Sequence, residues 1–399
     1  MFDFQLSVPT QIHFGRDCEL LAGRLMRPLA QKVLMIYGSD RIFRSGLGGR
    51  LQESLKAAGC SVICLGGVKP NAETDWIEEA RKLAAAENIE GILAVGGGSV
   101  IDSAKALAAS VYFSGSVTEL YENPEVQPNR CLPVGAVVTI PATASEANSM
   151  SVISDSVTHR KIAKPMPASQ PRFALLNPAL TLSVPAYQTA SGGFDIFAHA
   201  FERYFDLRRG SSLLDAMTEA VMKQVMDLLP EILAGIEDGK TERNLQLRGD
   251  LMLAATVAHN DMLGPGGDFA CHEISHVITE KFGVAHGAAL AMILPAWCRF
   301  MWKEAPERFE RFFRVVWNAG GETGEAVILD GIARMERFID EIGLARKIKA
   351  PALSAASEEE RSRILSDIAA EAAGPAGRIG GGLAAINADQ ITEICKLFL

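Results

Sequence analysis

Of the seven histidines in the chain, at positions 13, 159, 199, 259, 272, 276 and 286, three fall between 272 and 286. In the segment FDIFAHAFE, Asp195 and His199 are four apart, a spacing that puts a carboxylate and an imidazole on one helix face. In ACHEISHVITEKFGVAHGAAL, His272 and His276 repeat that spacing, and His286 follows Gly283 where the next helix should open. An acid and imidazoles that converge can ligate one metal ion. Any one of these histidines alone reads as a core or salt-bridged residue. For the group that reading weakens, because Ile274, Val277 and Ile278 would surround several unpaired imidazoles and make them costly to bury. Spacing therefore leaves five candidate ligands: Asp195, His199, His272, His276 and His286. The letters HEISH also satisfy HExxH, in which both histidines bind zinc and Glu273 would be the base of a metallopeptidase. The glycine and glutamate of extended zincin motifs are not at their places after His276, and a peptidase has no use for the nucleotide-type sheet described below.

The second chemical motif is AVGGGSVIDSAKALA. Three glycines end an apolar run and Ser99 opens a helix. Glycine allows a phosphate close to the backbone, and a helix N-terminus offers free N–H groups and a positive dipole end. This is neither GxGxxG nor GxxxxGK[ST], so a tight turn is an equal reading of the motif by itself. A further glycine-rich stretch, Gly374–Gly382 (GPAGRIGGG), lies between two expected helices and reads as a flexible connector.

These residues need elements to hold them. Lys32–Tyr37, Cys60–Leu65, Gly91–Val95 and Val134–Ile140 are short apolar runs that read as buried strands. Between and beside them Gly46–Ala58, Ala72–Glu87 and Ser99–Val111 have helical spacing. Strands alternating with helices imply a parallel sheet covered on both faces. Beyond Pro185 the chain reads as helices throughout: 187–206, 213–236, 244–261, 272–281, 287–302, 306–317, 329–342, 357–373 and 388–399. Ser357 with Glu360, and Asn387 with Gln390, are capping-box signals for the last two. The expected division is an α/β domain over 1–185 and an all-helical domain over 186–399.

The composition, 48% hydrophobic and 22% charged, is that of a chain with full-sized cores. A net charge of −9 argues against a nucleic-acid partner. No apolar run is long enough for a membrane span, and the N-terminus lacks the pattern of a signal peptide. Seven scattered cysteines without a CxxC read as reduced thiols, which points to the cytoplasm.

The blocks VPTQIHFG, Pro70-Asn71, GGGSVIDSAKA, TIPATASEANSMSVISD, Lys161, NPALTLSVP, FDIFAHAFE and HEISHVITEKFGVAHGAALAMILP occur in an order that resembles the iron-containing (group III) alcohol dehydrogenases. The third block is closest to the butanol dehydrogenase and broad-specificity aldehyde reductase branch. The resemblance implies a Rossmann-like N-terminal domain, an all-α C-terminal domain (the dehydroquinate synthase-like architecture), and hydride transfer between NAD(P)H and an alcohol or aldehyde. It implies Asp195, His199, His272 and His286 as ligands of one divalent ion, iron or zinc. His276 then becomes a substrate neighbour or part of a proton path. For the cofactor it implies Gly97, Gly98 and Ser99 at the pyrophosphate, Thr139 and Thr143 beside them, and Asn71 and Lys161 at the nucleotide. Asp102 and Glu146 also match and read as structural. Where NAD-preferring members carry an Asp, this chain aligns Ser39, with Arg41 near and Asp40 adjacent. That implies NADP, with NAD as the alternative. Family membership also implies a homodimer. A dehydroquinate synthase-like lyase remains as a rival, but the basic cluster that its phosphorylated substrate would need is not identifiable in the ligand blocks. Phe269, Cys271 and Trp297 are candidate substrate-pocket residues.

Overall fold

In the computed structural model, which describes residues 3–158, 160–237, 241–348 and 357–399, the chain forms two compact units. These are Ser7–Ser183 and Val184–Leu399, the second grouping with the residues that precede Ser7. His159 lies outside the described residues.

The first unit contains the strands β1 (Gln11–Phe14), β2 (Lys32–Tyr37), β3 (Ser61–Leu65), β4 (Gly91–Gly96), β5 (Val134–Val138), β6 (Met150–Ser154), β7 (Lys161–Pro165) and β8 (Phe173–Leu176). Six of them pair in parallel in the order β1-β8-β5-β4-β2-β3. Every residue of β4 and β5 is buried, which is why these strands read as continuous apolar runs instead of alternating ones. Strands β1 and β8 go beyond the sequence expectation. Each has only four residues, and β1, on the sheet edge, is half-exposed and has no apolar run to mark it. The antiparallel pair β6–β7 forms a separate hairpin.

From β2 the order runs outward to β3 on one side and through β4, β5 and β8 on the other. The direction of winding thus reverses between β2 and β4. In open parallel sheets that reversal, at the carboxyl ends of the strands, is where a ligand finds a crevice. The helices here are α1 (Ala22–Met26), α2 (Arg41–Arg44), α3 (Leu47–Ala57), α4 (Thr74–Ala86), α5 (Gly98–Ser110) and α6 (Val117–Glu122). Helix α5 is buried from Val100 to Ser110, packed against β4 on one side and β6 on the other. The short α1, α2 and α6 span too few turns to show a period.

The second unit is built of α7 (Ala186–Tyr204), α8 (Ser212–Glu237), α9 (Thr241–Ala258), α10 (Ala270–Phe282), α11 (His286–Met301), α12 (Pro306–Trp317), α13 (Gly324–Glu341), α14 (Glu358–Ala373) and α15 (Ala388–Cys395). Both expected capping boxes form, at Ser357 with Glu360 and at Asn387 with Gln390. Helix α7 lies at the centre and packs on α8, α9 and α11. Its Phe197, Phe201 and neighbouring Phe205 join Trp297, Phe309 and Phe312 in an aromatic core.

The unit is not wholly helical. Residues Arg378–Gly380 (β9) and Ala385–Asn387 (β10) form a small antiparallel hairpin. Gly374–Gly382 is accordingly not the flexible connector expected from its composition. The buried Asp268 carboxylate accepts N–H bonds from Gly381 (3.2 Å), Gly382 (2.9 Å) and Leu383 (2.9 Å), which pins the hairpin's turn to the start of α10. Glycine is required at Gly380 and Gly381, where φ is 74° and 113°.

Candidate metal centre and cofactor cradle

Helix α7 presents Asp195, His199 and Glu202 at i, i+4 and i+7, on one face of the helix. Helix α10 presents His272 in its first turn and ends at Gly283, which adopts a left-handed conformation (φ 64°). Two residues later Ala285 starts α11, so His286 is the first residue of that helix. The turn brings His286 back towards His272, with ring centroids 5.3 Å apart. Asp195 Oδ1 is 3.7 Å from His272 Nε2 and 3.6 Å from His286 Nε2, and the potential ligand atoms of these three residues all lie within 4.8 Å of one another. His199 stands outside that set of three. Its Nδ1–H donates to the Asp195 carbonyl oxygen (2.8 Å), and its ring lies 4.3 Å from that of His272.

The site fits a cation. Asp195 Oδ1 and His272 Nε2 are buried and have no hydrogen-bond partner among the described residues. Two such atoms facing one another are costly unless something positive sits between them. Burial by itself would raise the Asp195 carboxyl, but His199, His286 and His272 together hold it below the usual carboxylate range. Burial pushes His199 down to about 4, against the pull of Asp195. Burial also opposes charge on His272, but the Glu202 and Asp195 carboxylates outweigh it and raise that imidazole to about 9. A donor set of carboxylate and imidazoles without thiolate suits zinc, iron and similar divalent ions.

His276 is one turn beyond His272 on α10, partly exposed, and its ring stacks on His286 at 5.5 Å. Glu273 has a half-exposed side chain and contributes no atom to the cluster, so the HEISH letters do not form the two-histidine site of a peptidase. Among the candidate pocket residues, Phe269 lies beside the histidines, 5.5 Å from the His272 ring, whereas Cys271 and Trp297 are buried in the core.

In the first unit, the glycine run follows β4 directly. A Cβ at Gly98 would meet Thr143 Oγ1 at 2.7 Å, and one at Gly97 would meet Ile140 at 3.3 Å, so side chains here would fill the space over the start of α5. Gly97 caps that helix without a side-chain bond, leaving its positive end open. Ser99 Oγ accepts the Asn71 N–H (3.1 Å), and Asn71 itself is left-handed (φ 78°). The Thr139 N–H donates to the Gly96 carbonyl (3.0 Å). Asn71, Gly97, Gly98, Ser99, Thr139 and Thr143 are therefore brought together.

Ser39 is exposed just beyond β2, next to Gly38, whose Cβ position is 4.0 Å from Val100 of α5. Lys161 opens β7, paired with Ser154. The loop carrying Thr143 is tied to α5 by the fully buried Lys105, which donates to Ser145 Oγ (2.9 Å), Asn148 Oδ1 (3.1 Å) and the Met150 carbonyl (2.7 Å). Asp102 accepts from Ser145 (2.5 Å) in the same cluster. Burial lowers the Lys105 amine to about 8, opposed by Asp102 and Glu146.

Residues 9–178 match the iron-containing alcohol dehydrogenase family, and residues 189–398 match the C-terminal part of the same family. The chain belongs to the iron-containing alcohol dehydrogenases. Probable NADH-dependent butanol dehydrogenase 1 of Bacillus subtilis (strain 168) is 34% identical over 353 residues, 87% of this chain and 89% of the relative. NADPH-dependent aldehyde reductase YqhD of Escherichia coli (strain K12) is 31% identical over 353 residues, 86% and 88% of the two chains. The crystal structure of NADH-dependent butanol dehydrogenase A from Thermotoga maritima superposes with a TM-score of 0.89 at 29% identity, covering 100% of this chain and 98% of that one.

In this iron-containing alcohol dehydrogenase, one residue beside each cluster is not singled out by the sequence. Glu202, whose carboxylate meets His272, carries the i+7 signal from Asp195 but reads as an ordinary helix acid. Lys105 reads as a surface lysine, because nothing in the sequence announces that α5 is buried on every side.

Proposed function

We propose that this chain is a metal-dependent alcohol dehydrogenase or aldehyde reductase that moves a hydride between NAD(P)H and a small alcohol or aldehyde. The observation that carries the reading is the pair of buried atoms, Asp195 Oδ1 and His272 Nε2, that face one another beside His286 without a hydrogen-bond partner among the described residues. In this reading Asp195, His199, His272 and His286 would hold the ion, and residues 186–399 form the metal and substrate domain. Residues 1–185 form the nicotinamide domain, with Gly97, Gly98, Ser99, Asn71, Thr139, Thr143, Lys161 and Ser39 around the cofactor. When bound, the ion supplies Lewis acidity to the substrate oxygen and the nicotinamide supplies or accepts the hydride. The chain's own work is to hold both partners in place and to move a proton. His276, partly exposed beside His286, carries that proton between the substrate oxygen and solvent.

The neutral, exposed Ser39 at the end of β2, with Arg41 exposed on the next helix, supports a 2′-phosphate and thus NADP. Asp40 is turned to Tyr37, whose hydroxyl is raised first by burial and then by that carboxylate. NAD is the alternative, and relatives of both kinds exist. The seven unpaired cysteines favour a reducing compartment, the cytoplasm. We read the enzyme as a homodimer, which sedimentation would test.

Reduced nicotinamide should be consumed with short aldehydes and spared once the protein is stripped by chelator, with a larger kcat/KM for NADPH than for NADH. Chelator-insensitive turnover, or none with any aldehyde, refutes the reading; a preference for NADH refutes only the cofactor assignment. His276→Gln should keep the metal and lose roughly 100-fold in kcat, as for loss of a proton-transfer group. Wild-type turnover would remove His276 from the proton path.

A further inference from the structure

Glu202 is buried on α7 with its side chain 1% exposed, and three donors converge on its two oxygens. Oε1 accepts the Cys271 N–H (2.7 Å), while Oε2 accepts the His272 N–H (3.2 Å) and the His272 Nδ1–H. The two backbone donors belong to the first turn of α10, where N–H groups have no partner within the helix. One carboxylate thus caps α10 and grips the ring of a residue in that same turn. With Nδ1 committed to Glu202, the other ring nitrogen, Nε2, is left pointing at Asp195 Oδ1 3.7 Å away.

We propose that Glu202 is a positioning residue for the metal centre: it fixes the Nδ1–H tautomer of His272, orients the ring through α10, and so aims Nε2 at the ion. This rests on the reading of Asp195 and His272 as ligands. Glutamine has the same shape but cannot replace the carboxylate. It has one acceptor oxygen for three donors, and its amide N–H₂ would face either the Cys271 N–H or the two His272 donors. A carboxylate partner also makes the imidazole a stronger ligand, which an amide does not.

The test uses the full-length protein freed of metal and titrated with Zn²⁺ alone against a chromophoric chelator. Glu202→Gln should weaken Zn²⁺ binding by about 10–100-fold, the usual effect of removing a carboxylate behind a ligating histidine. Zn²⁺ binding within about threefold of wild type would overturn the proposal while leaving the ligand reading intact. If instead the wild type binds no Zn²⁺, or His272→Ala binds it as well as wild type does, the ligand reading fails and the proposal with it. A measurement on the unaltered protein guards against a variant that does not fold. In ¹⁵N-histidine spectra of the Zn²⁺-loaded wild type, the signal absent from His272→Ala should report a protonated, hydrogen-bonded Nδ1. A proton on Nε2 instead overturns the assignment.

Discussion

Asp195→Asn is expected to abolish metal retention and to lower turnover by roughly a thousandfold or more, since Lewis-acid assistance is worth several kcal/mol and each 1.36 kcal/mol is tenfold. The carboxylate oxygen Oδ1 lies 3.4 Å from His199 Nδ1, 3.7 Å from His272 Nε2 and 3.6 Å from His286 Nε2, so the one negative charge at the centre of the set disappears. Asparagine has nearly the same volume, and replacing a buried carboxylate with a neutral amide removes a desolvation cost, so the protein should still fold. Metal content after dialysis against chelator, measured beside aldehyde turnover, checks this. Stoichiometric metal with turnover within about tenfold of wild type would show that the ion sits elsewhere.

The wild-type pH dependence follows from the same groups. His272 is held up at about 9, so below that pH an ion must displace its Nε2 proton. His199, at about 4, is already neutral and releases none. Zn²⁺ affinity should therefore rise about tenfold per pH unit from 6 and flatten near 9, with about one proton released per ion at pH 7. Calorimetry in buffers of different ionisation enthalpy counts that proton, and a flat profile would remove His272 from the ligand set.

The parts of this architecture that can be read from the letters are those in which one periodicity dominates. β2, β4 and β5 are buried on both faces and spell continuous apolar runs, and α10 and α12 carry helical stripes. β1 and β8 do not stand out, because four residues are too few for a pattern and an edge strand need not be apolar. The Gly374–Gly382 stretch misleads for a different reason. Its glycines look like slack, but they serve a carboxylate more than a hundred residues away in sequence, Asp268, and no local signal reports that partner.

The site divides in the same way. Asp195 and His199, or His272 and His276, are a helical spacing apart and can be found locally. That His272 meets Glu202, or that His276 stacks on His286 and stays outside the group formed by Asp195, His272 and His286, depends on how three helices cross. Spacing alone could not narrow five candidates. The geometry draws three of them into one cluster and sets His199 and His276 beside it.

That crossing depends on one atom. Gly287, the second residue of α11, lies so close to α7 that an added Cβ would sit 1.9 Å from the Ser191 carbonyl oxygen and 3.1 Å from the Asp195 nitrogen. Both are main-chain atoms of a buried helix, which cannot swing aside as the end of a side chain can. A carbon and a carbonyl oxygen approach to roughly 3.3 Å, so Gly287→Ala must push α11 from α7 by about 1.4 Å or distort its first turn. His286 is the preceding residue, and its Nε2 would be carried away from Asp195 Oδ1, now 3.6 Å distant.

Two losses should appear together in this variant. Overpacking should cost about 1–3 kcal/mol, a drop of several degrees in melting temperature. Zn²⁺ affinity should fall as well, by more than the lost stability alone would give, because the displaced group is a ligand. Gly49→Ala is the control. Gly49 lies within α3 and a Cβ there would meet nothing within 4 Å, so alanine should be neutral or stabilise by about 0.5–1 kcal/mol. If Gly287→Ala melts with the wild type and binds Zn²⁺ as tightly, the approach of α11 to α7 does not set the ligand distance. If it melts lower but binds Zn²⁺ unchanged, the close contact serves packing alone and His286 finds its place by another route.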